Sequence, residues 1–342
     1  MKRTGNLKHK WCTYENLYQA FLEVKKRKSF HANFLVYESN IVCNLSNLLE
    51  KLETGTYKTR PYRSFYVYDP KERLIEAPFL EDRIVQHALL RATRDIIEGK
   101  FTEQTFACIK GRGTHAASNS LKSMLRGYAG VGYYLKIDFR KYFYTIPHEL
   151  IMTLLRRIIK CEDTLNLFDL FLRDNNQSVG LPLGSVTSQV LANLALNPID
   201  HFIKRELKIK HYARYMDDLV LLHNDKEVLK GALSSIRELA ESMGLYLNNK
   251  TKISQMSEGI DFVGYKTHWN RRVIRKRSLY KIRKLVKAPR NDQRAGSYLA
   301  HAKHTNSLAS VVKILTGVYN DFMRKWLLNN YKGNLNVLLL QS

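Results

Sequence analysis

The chain has 342 residues, enough to bury a substantial core in two or three subdomains. Its net charge of +25 and isoelectric point near 9.8 favour a polyanionic partner, nucleic acid ahead of an anionic membrane. No run approaches the roughly 18 apolar residues of a membrane span. The opening Met1-Lys2-Arg3-Thr4-Gly5-Asn6 lacks the apolar stretch of a signal peptide, so a cytoplasmic location without membrane contact is the default expectation.

In chain order, residues 14–27 and 41–53 have helical periodicity. Ser64-Phe65-Tyr66-Val67-Tyr68 and Arg73-Leu74-Ile75-Glu76-Ala77 alternate like strands around Asp69-Pro70-Lys71-Glu72, predicting a hairpin with a basic tip. Glu81 to Glu98 reads as a long helix, and Lys110-Gly111-Arg112-Gly113 as a loop before another. Residues 132–138 read as a buried strand ending in Asp138. Helices follow near 147–159, 163–174 and 187–205. Strands over 209–215 and 218–223 predict a second hairpin, followed by a helix over 226–243 and short strands. From Arg271 to Arg290 there are ten Lys or Arg and no acid. Such a stretch can be a disordered basic tail. Leu279, Ile282, Leu285 and Val286 recur at helical spacing, however, so a folded basic helix is expected, and Ser307 to Asn330 continues the pattern. No internal repeat or low-complexity tract is visible. Cys12, Cys43, Cys108 and Cys161 are too scattered for a zinc pattern or a secreted disulfide framework, and are expected to be buried thiols.

The chemistry concentrates at Tyr215-Met216-Asp217-Asp218, between the strand-like Tyr212-Ala213-Arg214 and Leu219-Val220-Leu221-Leu222. Adjacent carboxylates at a hairpin tip repel each other and lose solvation. An acidic turn is the ordinary reading, because Asp is common in turns. A bridging divalent cation is the other, since hard cations such as Mg²⁺ take oxygen ligands. Asp138, read alone, is ordinarily a cap for the helix that follows. Phosphoryl transfer by two metal ions about 3.5–4 Å apart needs carboxylates from separate segments. Asp138, Asp217 and Asp218 supply three of them on two strands.

The motifs continue in order. Asp138 with Phe143, Gly180-Leu181-Pro182-Leu183-Gly184-Ser185-Val186-Thr187-Ser188-Gln189, Tyr215-Met216-Asp217-Asp218, Leu247-Asn248-Asn249-Lys250-Thr251 and Phe262-Val263-Gly264-Tyr265 resemble the successive palm motifs of reverse transcriptases. Upstream, Arg73-Leu74-Ile75-Glu76-Ala77-Pro78 and Glu81-Asp82-Arg83-Ile84-Val85-Gln86 resemble fingers motifs of the bacterial branch. Downstream, Ser297-Tyr298-Leu299-Ala300-His301-Ala302-Lys303-His304 resembles a thumb segment. The resemblance covers nearly the whole chain. It implies an α+β right-hand polymerase fold: N-terminal helices and fingers over 1–125, an antiparallel-sheet palm over 126–270, and a helical thumb over 271–342. The implied activity is an RNA-directed DNA polymerase, a two-metal nucleotidyltransferase working on template RNA, primer or cDNA, and dNTPs.

By the same resemblance, Asp138 and Asp217 are the principal ligands of two Mg²⁺ ions (Mn²⁺ as an alternative). Asp218 supports them, and the Phe139 carbonyl completes a site. Phe143 matches the steric gate that excludes a ribose 2′-hydroxyl, with a core aromatic as the competing reading in a chain of 14 Phe. Arg73 matches the fingers Arg that clamps the triphosphate. Lys71 is a second candidate or an ordinary turn Lys. Gly184 allows close backbone approach to the nucleotide or template base. Lys250 matches a late-palm Lys that protonates pyrophosphate, in a register that Lys252 also fits. Arg275, Lys276, Arg277, Lys281, Lys284, Lys303 and His304 are expected to hold the duplex by its phosphates. His301 and His304 lack further ligands nearby, so a phosphate-contacting or solvent-facing role is expected rather than a metal site.

Most reverse transcriptases carry Gln before Gly184 and Pro after Ser188. Here Leu183 and Gln189 stand at those positions. This is similar to the enzymes of diversity-generating retroelements. Those copy a template repeat into cDNA with errors preferentially at adenines, and the copy replaces a variable repeat in a target gene, a process called mutagenic retrohoming. Leu183 would remove a hydrogen bond to the incoming nucleotide. Gln189 would touch the template, or cap or pack within its helix. The resemblance also implies a small basic accessory variability protein. The alternatives are an intron-encoded or other bacterial reverse transcriptase of ordinary fidelity, and a catalytically silent RNA-binding scaffold.

Overall fold

The computed structural model describes residues 3–26, 32–68, 72–173 and 177–330. The chain forms two compact units. One comprises Met1–Cys108, Phe139–Lys208 and Ser234–Asn248, and the other Ile109–Asp138, Ile209–Leu233 and Asn249–Ser342.

The first unit is mainly helical. Thr13 caps the helix Tyr14–Lys25 by accepting a hydrogen bond from Asn16 N at 3.2 Å. This helix packs on Leu80–Glu98, which buries Ile84, Val85, Ala88 and Leu89. Gln86 and Asp82, caught in this core, have partners. Gln86 donates to the Tyr62 hydroxyl at 3.0 Å and accepts from the Ser185 hydroxyl at 3.0 Å. Asp82 accepts from the Tyr57 hydroxyl at 2.5 Å. Strands β1 (Arg63–Val67) and β2 (Arg73–Ala77) pair antiparallel with Val67 opposite Arg73. Residues 69–71 between them, Lys71 included, lie outside the described residues.

Two sequence expectations change here. The helix expected over 187–205 is two, Val186–Ala195 and Asn197–Arg205. Pro198 has no N–H to continue the first helix and suits the opening turn of the second. The cysteines are not all buried: Cys12 is, Cys161 is half-buried, and Cys43 and Cys108 are exposed. Cys43 falls off the Leu45–Leu48–Leu52 stripe by which the helix Ile41–Glu53 meets the core.

The second unit is built on antiparallel sheets. Strands β3 (Tyr133–Ile137), β4 (His211–Tyr215), β5 (Asp218–His223) and β6 (Lys252–Gln255) form one sheet in the order β4-β5-β3-β6. Leu219 to Leu222 are buried consecutively, so both faces of β5 are covered. The helix Thr114–Tyr128 packs on β4. Strands β7 (Ile260–Phe262), β8 (Tyr265–Thr267) and β9 (Arg272–Ile274) form a second sheet. The basic stretch expected to be one helix from 271 therefore begins as a strand, because Ile274 is buried opposite Tyr265. The helix itself runs Lys276–Val286. With Asp292–Ala302, Leu308–Leu315 and Asn320–Asn330 it encloses its own core around Ile282, Leu299, Val312 and Tyr319. The fold is α+β with antiparallel sheets, as expected. Among the described residues, no helix is long and apolar enough to cross a membrane.

Candidate active site

The acidic hairpin is set by register. Tyr215 pairs with Asp218, leaving Met216-Asp217 as the turn between β4 and β5. Met216 takes a left-handed φ of +56°, which is unfavourable for a side chain of its size. Arg214 lies beneath, fully buried, and its Nη1 donates to the Met216 carbonyl at 3.0 Å. On the neighbouring strand, Ile137 pairs with Leu219. One step further along that register brings Asp138 opposite Asp218. The Thr251 hydroxyl lies 3.5 Å from both the amide nitrogen and the carbonyl oxygen of Asp138.

Asp218 reports the electrostatics of this sheet end. Burial pushes its carboxyl up from 3.8 to about 6; Lys136 pulls it down, and Asp217 and Asp138 push it up. Lys136 Nζ stands 3.1 Å from Asp218 Oδ1 and donates to Oδ2 at 3.2 Å, while also donating to the Asp261 carbonyl. The Oδ1 approach is misaligned, so that buried oxygen has charge nearby but no hydrogen bond. Among the described residues, no three His, Cys, Asp or Glu side chains are placed to enclose a metal ion. The donor set nevertheless suits a hard cation: carboxylate oxygens that destabilise one another, one of them orphaned. Sequence reasoning missed Arg214 and Lys136. Their signal was a cation inside each otherwise apolar strand.

A family model described as reverse transcriptase (RNA-dependent DNA polymerase) matches residues 68–267, more than half of the chain and the whole of this sheet. The chain belongs to the reverse transcriptase family. Protein YkfC of Escherichia coli (strain K12) is 27% identical over 83% of this chain and 82% of its own length. The group II intron-encoded protein LtrA of Lactococcus lactis subsp. cremoris is 27% identical over 48% of this chain, which spans only 29% of LtrA. A solved telomerase from Candida albicans, in complex with a fragment of telomeric RNA, shares the fold with TM-score 0.51 at 12% identity. That likeness covers 83% of this chain and 59% of the telomerase. The enzyme class is RNA-directed DNA polymerase.

The remaining candidate residues of this reverse transcriptase fall as follows. In the first unit, Arg73 is exposed at the start of β2. Phe139 is buried and bridges to Leu247, and Phe143 is half-buried on the short helix Tyr142–Thr145. Tyr142, not Phe143, is the aromatic of that turn which joins the core, donating its hydroxyl to the Ala192 carbonyl at 2.5 Å. The Leu183 carbonyl accepts from Glu76 N at 2.7 Å, tying the motif to β2. Gly184 has φ +133°, and a Cβ there would stand 2.7 Å from the Glu76 carbonyl oxygen. Packing against β2 alone therefore requires glycine. Gln189 is exposed on the helix Val186–Ala195.

In the second unit, Lys250 is exposed before β6 and Lys252 lies opposite Lys136. Lys276, Arg277 and Lys284 are exposed on the basic helix and Lys281 is half-buried. Arg275 caps that helix and is ion-paired with Asp261. Lys303 and His304 are exposed. His304 lies ring to ring with His115 at 3.9 Å. Its pKa is lowered by burial and then by His115 and Arg272, so at neutral pH it offers a hydrogen bond more readily than a charge. His301 departs from the solvent-facing expectation: it stacks on the Tyr265 ring at 4.3 Å with Nε2 3.3 Å from the Gly264 carbonyl oxygen.

Proposed function

We propose that Asp138, Asp217 and Asp218 form the polymerisation centre, within a palm over 126–270 flanked by fingers over 1–125 and a thumb over 271–342. The observation that carries this is the pairing register, which gathers these carboxylates at one end of the β4-β5-β3-β6 sheet. Two Mg²⁺ ions held there, with the Phe139 carbonyl, would activate the primer 3′-hydroxyl and neutralise the triphosphate. Arg73, with Lys71, clamps that triphosphate, and Phe143 rejects ribonucleotides. Lys250 serves the leaving pyrophosphate. The cationic helix from Lys276, together with Lys303 and His304, holds the template–primer duplex by its phosphates.

For biological role, the reading is an error-prone polymerase of a diversity-generating retroelement, active in the cytoplasm with a small basic accessory protein. It rests on Leu183 and Gln189, which replace the usual Gln and Pro. Losing one hydrogen bond to the incoming nucleotide shifts selectivity by about 0.5–1.5 kcal/mol, or about two- to tenfold. The similarity to LtrA favours a second reading, an intron-type reverse transcriptase of ordinary fidelity. Sequencing cDNA made by the purified enzyme on a defined RNA template separates them. The first reading predicts errors concentrated opposite template adenine and reduced by Leu183→Gln. An error spectrum even over four bases supports the second.

A further inference from the structure

We propose that a cavity in the first unit binds an unpaired nucleotide of an RNA strand, its base against apolar walls and its phosphates on the cations that line it. The choice of RNA rests on the reverse transcriptase reading; the site itself does not. The cavity, about 720 Å³, is lined from the end of the helix Leu80–Glu98 and from the helices His148–Arg156 and Asn197–Arg205. Its size is that of a small-molecule pocket. Leu154, Ile158, Leu194 and Pro198 supply the apolar surface.

The charge is one-sided. Arg3, Lys100, Arg157 and Arg205 line the cavity, and among the described residues no Asp or Glu does. Cations gathered without a counter-charge repel one another and favour an incoming anion. A hydrophobic ligand would leave that repulsion in place, and a bare inorganic anion would leave the apolar walls wet. A nucleotide satisfies both, because a base offers flat apolar faces and its phosphates offer charge.

A second observation points to the base. Asn197, only 8% exposed, lines the cavity, and its buried Oδ1 has no hydrogen-bond partner. As the side chain stands that oxygen is closed off from solvent, so a base edge would meet it through a turn of the carboxamide, which would pair an otherwise orphaned atom. A carboxamide can both accept from and donate to the edge of a base. His201 is steadied beside it, its Nε2 donating to the Lys100 carbonyl oxygen at 3.0 Å.

The test uses the full chain and a single-stranded RNA of about ten nucleotides carrying 4-thiouridine, within the site sizes usual for such grooves. Photocrosslinks in the wild type should map by mass spectrometry to the segments around 154–158 and 194–201. Arg157 and Arg205 are exposed, so Arg157→Ala with Arg205→Ala should fold normally, which a melting curve verifies. That double variant should lose these cross-links and bind the RNA about tenfold more weakly. Its log–log salt slope should fall by about 0.7 for each phosphate it no longer neutralises. Extension from a saturating, pre-annealed template–primer should be retained. Cross-links confined to other segments, with unchanged affinity in the double variant, would overturn the assignment. So would AMP competing as tightly as the oligonucleotide, which would make the cavity a free-mononucleotide site. An acidic peptide displacing the RNA from these cross-links while binding more tightly would overturn it in favour of a protein partner. None of these readouts depends on the catalytic carboxylates, so failure of the polymerase reading would show separately.

Discussion

Asp218 is pulled in two directions. Burial and two neighbouring carboxylates favour its protonated form, and Lys136 favours the ionised one. Its folded-state value of about 6 lies above the ordinary 3.8, so the native state binds this proton more tightly than the unfolded chain. In metal-free protein its contribution to stability is therefore present below about pH 4 and is lost as pH rises through about 6. A divalent ion needs the carboxylate, so metal and proton compete. The Mg²⁺ concentration giving half-maximal primer extension should rise below about pH 6, approaching about tenfold per pH unit. Lys136→Met removes the cation that holds the carboxyl down, so the rise should begin at higher pH. Mg²⁺ titrations across pH 5 to 8 check both. A requirement that does not move with pH would detach Asp218 from the metal.

Gly184 joins two elements, and its replacement is diagnostic. In Gly184→Ala the new Cβ meets the Glu76 carbonyl oxygen, a backbone atom of β2 that cannot swing aside. With the unfavourable φ added, the variant should lose about 1–3 kcal/mol in urea denaturation. The basic helix Lys276–Val286 makes a different prediction. Reversing Lys276, Arg277 and Lys284 should weaken template–primer binding and flatten its salt dependence by about 0.9 for each phosphate released from the helix. An unchanged slope would make this face a protein-docking or solvated surface. Arg275 is left out, since breaking its pair with Asp261 would confound binding with stability. At this scale much was legible in the sequence. The helix Leu80–Glu98 and the hairpin around Asp217 announce themselves by local periodicity and by the change from period 3.6 to period 2. Strand β9 hid inside a basic run because its burial is decided by a partner strand. The Lys136–Asp218 pair joins residues 82 apart, which no local pattern encodes. The helix break at Pro198 could have been read from the proline itself.

For the whole molecule, composition and motif order carried the functional reading further than the fold alone. Telomerase shares the fold at 12% identity, so architecture does not fix template, target or fidelity. The net charge of +25 favours a polyanionic partner without naming it. The proposed polymerisation centre rests on costly neighbouring carboxylates at Asp138, Asp217 and Asp218, beside a cation, Lys136, that tempers them. A scaffold that only bound RNA would gain from losing them. The most direct test is primer extension by Asp217→Asn beside the wild type on an RNA template with a DNA primer, dNTPs and Mg²⁺, with template–primer affinity measured in parallel. Extension should fall at least about a hundredfold with affinity nearly unchanged. Extension at close to the wild-type rate by the pure variant would contradict the proposed centre.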